Sequence, residues 1–358
     1  MENGTAHSPV TQQQPTGVHL VGSVPLPTAK DVFLQTTKVL PNRLVRIPDG
    51  EPAHRQNFVY FQRGIFSSIP QVVQQYDAQF NVVPAPIPTS SDLSALESTI
   101  ASMPPLETGY DTFALESYET FKQLRADGHI APHIKFQVSI PTALNVTCLI
   151  AEGYQAAMEP HYEAALFRAV KNLEASIPYN DLSIQWDMAA EFAMLEGITW
   201  PHFKPFFSPV KEGIIERTVH LADSVDSDIE CGFHLCYGDI AHRHFVDPKD
   251  MGKLVEMATA IMKGSKRDIT FIQMPVPKDR TDDEYFAPLK ELELGNTELY
   301  LGVVHYNDLE GTKERIAAAS KTGKKFGVAT ECGMGRTPPD HLESILEISA
   351  EVTKPYDR

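Results

Sequence analysis

The stretch Glu230-Cys231-Gly232-Phe233-His234-Leu235-Cys236-Tyr237-Gly238-Asp239 is a short β-rich run that ends in a glycine and an acid. Downstream of it, residues 249–263 place Leu254, Val255, Ala258, Ile261 and Met262 on one face at helical spacing. A brief run of this kind, closed by turn-forming residues and followed by an amphipathic helix, reads as one βα unit. The same alternation recurs in both directions. Strands are expected at 18–22, 43–47, 133–140, 182–187, 231–236, 269–273, 299–305 and 325–330, with helical patterns at 111–126, 162–175, 209–223, 311–321 and 340–353. Strands alternating with helices eight times over predict a single-domain (β/α)8 TIM barrel, an α/β fold that routinely exceeds the usual domain size as one unit.

Residues 1–16 hold Gln, Ser, Thr and Pro with almost no large apolar side chains, which predicts a flexible tail ahead of a barrel spanning 17–358. Residues 83–107 are rich in Pro and Ser and too long for a plain connection, so a decorated loop with a short helix is expected there. The chain has 358 residues, 42% of them hydrophobic, enough for a substantial core. Its formal charge of -16 argues against nucleic acid as a partner, because phosphate binding needs a positive surface, and leaves a small-molecule substrate as the expected one. No apolar run approaches the ~20 residues of a membrane helix. The cysteines are Cys148, Cys231, Cys236 and Cys332, and the first residues carry no basic region followed by an apolar run. A reduced, cytoplasmic setting follows, in which cysteines are ligands or buried fillers.

Barrel chemistry is built at the C-terminal ends of the strands. Each expected strand delivers a polar group there: Ser23, Glu51, Asn145, Asp187, His234 with Cys236, Gln273, His305 and Cys332. On an extended segment His234 and Cys236 point the same way, because side chains alternate with a period of two. Imidazole nitrogen and thiolate sulfur suit zinc, and with Cys332 they make a three-ligand set with a fourth position open. The competing reading is a structural His among small buried cysteines. Cys231 lies an odd number of residues from both His234 and Cys236 and reads as core, as does Cys148 within the apolar run 146–150.

Several separated motifs occur in the order found in the C-terminal catalytic barrel of cobalamin-independent methionine synthase and its wider superfamily, which includes uroporphyrinogen decarboxylase-like barrels. Val21-Gly22-Ser23-Val24-Pro25 resembles the family's opening Gly-Ser-Phe-Pro strand, and Asp49-Gly50-Glu51-Pro52-Ala53-His54-Arg55 its Gly-Glu-x-x-Arg segment. Gln185-Trp186-Asp187, His234-Leu235-Cys236 and Cys332-Gly333-Met334 resemble its Gln-x-Asp, His-x-Cys and Cys-Gly-Leu motifs. The resemblance implies zinc held by His234, Cys236 and Cys332. It also implies a thiol substrate whose amino-acid end meets Ser23, Glu51 and Asp187, and a proton-delivering His305.

The chain departs from that pattern where the family has a fourth, glutamate ligand, for here Gln273 stands in Phe271-Ile272-Gln273-Met274-Pro275. The family's Gly-Pro turn and folate-supporting Trp are replaced by Ile140-Pro141-Thr142-Ala143-Leu144-Asn145-Val146. The expectation is a zinc-dependent, methyltransferase-like enzyme that activates a thiol or similar small nucleophile, and not a folate-dependent methionine synthase. Two other readings stay open: a zinc-dependent lyase, hydrolase or demethylase, and a non-catalytic metal or metabolite binder. Water, substrate, Gln273, Glu331 or Asp239 are the candidates for the fourth metal position.

Overall fold

A computed structural model describes residues 14–78, 81–198, 204–238 and 243–357. Seven strands, β1 (Arg46–Pro48), β2 (Lys135–Pro141), β3 (Leu182–Met188), β4 (Glu230–Leu235), β5 (Phe271–Pro275), β6 (Glu298–Gly302) and β7 (Gly327–Val328), bond to one another in chain order as one curled parallel sheet. Parallel neighbours need crossovers, and helices such as Gln155–Ser176, Val210–Ser224, Gly252–Gly264 and Leu309–Ser320 supply them. Two features were not legible in the periodicity: a helix Ala29–Val39 and a run of 3-10 turns at Ala53–Phe66. The expected decorated loop carries a helix at Ser90–Ser102, capped by Thr89 and Asp92.

The strands are buried on both faces, with different chemistry on each. Phe136, Val138, Ile140, Ile184, Trp186, Cys231, Phe233, Leu235, Ile272 and Met274 belong to the large apolar core of the sheet and its covering helices. The alternate residues turn into the curl: Gln137, Ser139, Gln185, Asp187, His234 and Gln273, all buried and polar. Gly232 is required on that inner face, since a Cβ there would lie 2.4 Å from the ring of Phe271, its register partner on β5.

Of the eight strands expected from the sequence, seven form the regular ladder, a half-barrel, among the described residues. The first expected strand is reduced to a strap that bonds both sheet edges: Val18 N donates to Arg43 O at 2.8 Å, His19 N to Val328 O at 2.8 Å, and Val24 N to Gly50 O at 2.9 Å. Its one sheet bridge pairs Val18 with Val328. The reason lies in the inner-face amides. Gln137 Nε2 donates to Leu20 O and Val21 O at 3.0 and 3.2 Å, and Gln185 Nε2 and Ser139 Oγ also donate to Val21 O. Carbonyls that a regular ladder would use are thus taken by side chains. Thr16, placed in the tail by composition, instead bridges to Lys354. Residues 1–13 lie outside the described residues.

The N-terminal mouth of the curl is plugged by Arg46, whose side chain is 1% exposed. Its guanidinium lies 3.1 Å from Glu230 and 2.9 Å from Glu298, and sits over the Phe271 ring at 4.2 Å. Burial costs this cation hydration, and the two carboxylates return it, so both β4 and β6 are tied to β1. Arg46→Ala should lower the free energy of unfolding by on the order of 2–3 kcal/mol, less than for a sealed pair because Glu298 is 40% exposed. Urea unfolding of the two proteins checks this.

Candidate metal centre and adjoining cavity

His234 on β4, Cys236 just beyond it and Cys332 in the loop after β7 bring one nitrogen and two sulfurs within 4.8 Å of one another. The two sulfurs are 3.8 Å apart. The Cys236 thiol holds the Cys332 thiol well below its usual range against the opposing effect of burial, and His234 adds to the lowering. Cys231 and Cys148 stand in contrast. Burial pushes each up to about 12, and neither joins the cluster, so both are inert fillers.

The tautomer of His234 follows from Gln273, its register partner on β5. Gln273 Nε2 donates to the main-chain oxygen of Thr330 at 2.9 Å, and a carbonyl can only accept, so the amide oxygen must face the other way. That oxygen meets His234 Nδ1, which therefore carries the proton. The remaining nitrogen, Nε2, is buried with no nitrogen or oxygen partner and faces the Cys332 sulfur, which raises the ring against the opposing effect of burial. An orphaned ring nitrogen beside two sulfurs fits a soft or borderline metal ion. Gln273, expected to touch substrate or metal, is instead fully buried and holds the histidine in its ligating form. Glu331 also turns away from this cluster, toward His244. Asp239 lies outside the described residues.

On the β1–β3 side stand the carboxylates. Asp187 precedes His234 in the same register row, accepts from Gln185 Nε2 at 2.7 Å, and is pushed up to about 7 by burial, with His234 pulling back. Burial, Asp187 and Asp49 together raise Glu51 well above the carboxylate range, with Arg55 opposing. Glu51 adopts φ of 51°, a conformation that non-glycine residues take mainly where something else holds them. Here its N–H donates to Asp49 Oδ1 at 2.9 Å, and Asp49 is held by Arg55 at 2.6 Å and Ser117 at 2.8 Å. Two raised carboxylates, Asp187 buried and Glu51 half-buried, favour a cationic guest. Ser23 does a positioning job: its hydroxyl accepts from Gly335 N at 3.1 Å, and a Cβ on Gly333 would lie 2.5 Å from that oxygen. The Cys332-Gly333-Met334-Gly335 loop is drawn onto Ser23 in this way.

Asn145 is not available to a ligand. Its amide donates to Asp187 O at 2.6 Å and Thr142 Oγ1 at 3.1 Å and accepts from Ala190 N at 2.8 Å, stapling the ends of β2 and β3. Glu191, unremarked in the sequence, completes this staple by accepting from Thr142 Oγ1 and Ala189 N.

On the opposite, β4–β7 side a cavity of about 890 Å³ opens with Cys236 and Cys332 among its lining residues. His305, Glu331 and His244 also line it. His305 Nε2 donates to Val276 O at 3.0 Å, and burial with the Arg315 charge pushes the ring down to about 3. The imidazole is thereby held neutral in this structure. Glu331 Oε1 lies 3.1 Å from His244 Nε2. The acid immediately before Cys332 was visible in the sequence, but the loop that brings His244 to it had no readable signal.

No protein-family model and no curated protein matches the chain. Among solved structures, it is similar to a B12-independent methionine synthase from Shewanella sp. W3-18-1 in complex with selenomethionine, at 17% identity and a TM-score of 0.44, over 68% of this chain and 66% of that one. It is also similar to a GH18 chitinase from Pseudoalteromonas aurantia, at 10% identity and a TM-score of 0.35, over 87% of this chain and 100% of that one. Likeness of this degree is weak, and the chemistry is read from the side chains. Among the described residues no helix is long and apolar enough to cross a membrane.

Glu191 gives the site a pH signature in stability. Burial raises it to about 7 against the opposing hydrogen bonds from Thr142 and Ala189, so its protonated form favours the folded state. The sign is then set: its contribution is complete at low pH and is lost as pH rises through about 7. Between pH 5 and 8 the wild-type chain should lose unfolding free energy relative to Glu191→Gln, by on the order of 2 kcal/mol, as measured by urea titration at both pH values.

Proposed function

We propose that this chain is a zinc-dependent, methyltransferase-like enzyme of the eightfold barrel type, its first strand reduced to the 17–24 strap. It would make the thiol of a small, amino-bearing molecule attack an alkyl carbon. The observation that carries this reading is the convergence of His234 Nε2, buried with no nitrogen or oxygen partner, with the Cys236 and Cys332 sulfurs. Zinc bound there would make a thiol acidic near neutral pH while leaving it nucleophilic. The ammonium group of the substrate would lie between Glu51 and Asp187, whose raised carboxyls are relieved by a cation. In the step itself the sulfur–carbon bond forms, the bond from that carbon to the donor breaks, and the donor keeps the electron pair.

Gln273 motivates a second reading. With a neutral amide where a carboxylate would add negative charge, two thiolates and an imidazole leave the site formally uncharged, and a stronger Lewis acid suits a hydrolytic, lyase or demethylating step on a small metabolite.

Elemental analysis of the purified protein should find one zinc per chain, and Cys236→Ser and Cys332→Ser should lose it. Gln273→Leu frees the His234 ring and should weaken zinc binding by about 10- to 100-fold. Zinc-loaded protein incubated with amino thiols and methyl donors should yield the thioether, with Asp187→Asn slower. Unchanged metal content in both cysteine variants would refute the centre. Product formation without a thiol acceptor would favour the second reading, and absence of any turnover would favour a non-catalytic binder.

A further inference from the structure

A second, far smaller cavity of about 10 Å³ is walled by the end of β1, by β2 and by the start of the helix Tyr110–Ala126. Its polar lining is Asp49, Glu51, Arg55, Tyr110, Gln137 and Ser139, and the rest is apolar. Half of that polar lining is committed elsewhere. Arg55 is paired with Asp49 at 2.6 Å, and Asp49 also accepts from Ser117 Oγ and Glu51 N. Ser139 Oγ donates to Val21 O at 3.1 Å and accepts from Gln137 Nε2 and Gln185 Nε2, each at 3.3 Å.

Glu51, Tyr110 and Gln137 keep polar atoms without a partner among the described residues. Gln137 Nε2 donates to Leu20 O at 3.0 Å and Val21 O at 3.2 Å; those carbonyls only accept, so the other amide atom is the oxygen, and it is buried with no hydrogen bond. Tyr110 is 6% exposed, and its hydroxyl meets neither donor nor acceptor. The Glu51 carboxylate likewise accepts no hydrogen bond. Buried polar atoms are normally paired, so bare ones around a single space point to a guest that carries donors.

Size and charge narrow that guest. A space near 10 Å³ admits one group of about the size of a water molecule. Arg55 and Asp49 offset each other, which leaves the carboxylates Glu51 and Asp187 without a cation and favours a charged donor over a neutral one. Gly22 borders the same carboxylate: a Cβ there would lie 3.6 Å from Glu51 Oε1 and 3.2 Å from Ser139 Oγ, and its bare main chain leaves the approach to Glu51 free.

We propose that Glu51, Tyr110 and Gln137 form a seat for a primary ammonium group, and that this seat restricts the substrate to primary amines. It deepens the function proposed above and rests on it only in taking the other end of the guest as the reacting one. Each N–H of the head is received by one acceptor: the Glu51 carboxylate, Gln137 Oε1 and the Tyr110 hydroxyl oxygen, with Asp187 adding charge. A methyl group on the nitrogen removes a donor, leaves an acceptor bare and needs volume that a water-sized space does not have. Tyr110 and Gln137 are thus the residues that set this specificity.

The test is calorimetric titration of the full-length protein, as purified, with propylammonium chloride and with N,N-dimethylpropylammonium chloride, cations that differ only in the methyl groups. The primary amine should bind at least about ten-fold more tightly. Tyr110→Phe keeps the ring that packs against Phe61. In it and in Gln137→Leu the preference should fall to within about three-fold, near-ultraviolet circular dichroism reporting that each variant is folded. Equal affinity for the two amines, tighter binding of the methylated one, binding of neither, or a preference unchanged in both folded variants would overturn the seat. Neither probe carries a thiol, and the metal centre is judged by zinc content and thioether formation, so either reading can fail while the other stands.

Discussion

The side-chain amide of Gln273 is the fixed point on which the centre depends. Its nitrogen is committed to the main-chain oxygen of Thr330, two residues before Cys332, and its oxygen to His234 on the neighbouring strand. One rigid group thus ties β4, β5 and the loop after β7, and decides which nitrogen of His234 is left bare. A carboxylate in the same place could contribute a ligand and a charge, but it could not donate to Thr330. The amide exchanges a possible fourth ligand for control of orientation, which in a metal site governs affinity nearly as strongly as the ligands themselves.

That exchange is set within an unusual interior. Small barrels commonly fill their centres with branched apolar side chains, whereas here Gln137, Ser139, Gln185 and Asp187 line the curl, and His19 lies between Phe271 and Tyr300 at 4.9 Å from each. Buried polar groups are costly unless bonded, and these are knitted together: His19 Nε2 to Gln185 Oε1 at 2.7 Å, Gln185 Nε2 to Asp187 Oδ1 at 2.7 Å. The network holds Asp187 beside the cluster, and it takes the strap's carbonyls out of the ladder. The same amides that position the site are the reason the first strand is irregular.

What could be read from the sequence follows the same physics. The period of two in Gly232, His234 and Cys236 put these residues on one face and Cys231 on the other, and the parallel register brought Asp187, His234 and Gln273 into one row. Periodicity also located the seven regular strands, because buried parallel strands leave dense apolar runs. It had no access to the direction of an amide or to which main-chain oxygen a side chain would find. For that reason Val18 to Gly22 looked like a strand, Asn145 and Gln273 looked like ligand contacts, and the pairing of Glu331 with His244 went unseen.

The arrangement also has a direction. The carboxylates Glu51 and Asp187 lie toward β1–β3, the large cavity lies toward β4–β7, and Cys236 and Cys332 line only the latter. Charge differs across that pair of sulfurs: desolvation makes the carboxylates on one side reluctant anions, while the wall on the other mixes apolar side chains with Arg243, Asp247, Lys278 and Asp279. Open space lies on the β4–β7 side, about 890 Å³ against about 10 Å³ beside Glu51, so the sulfurs are reached from that side.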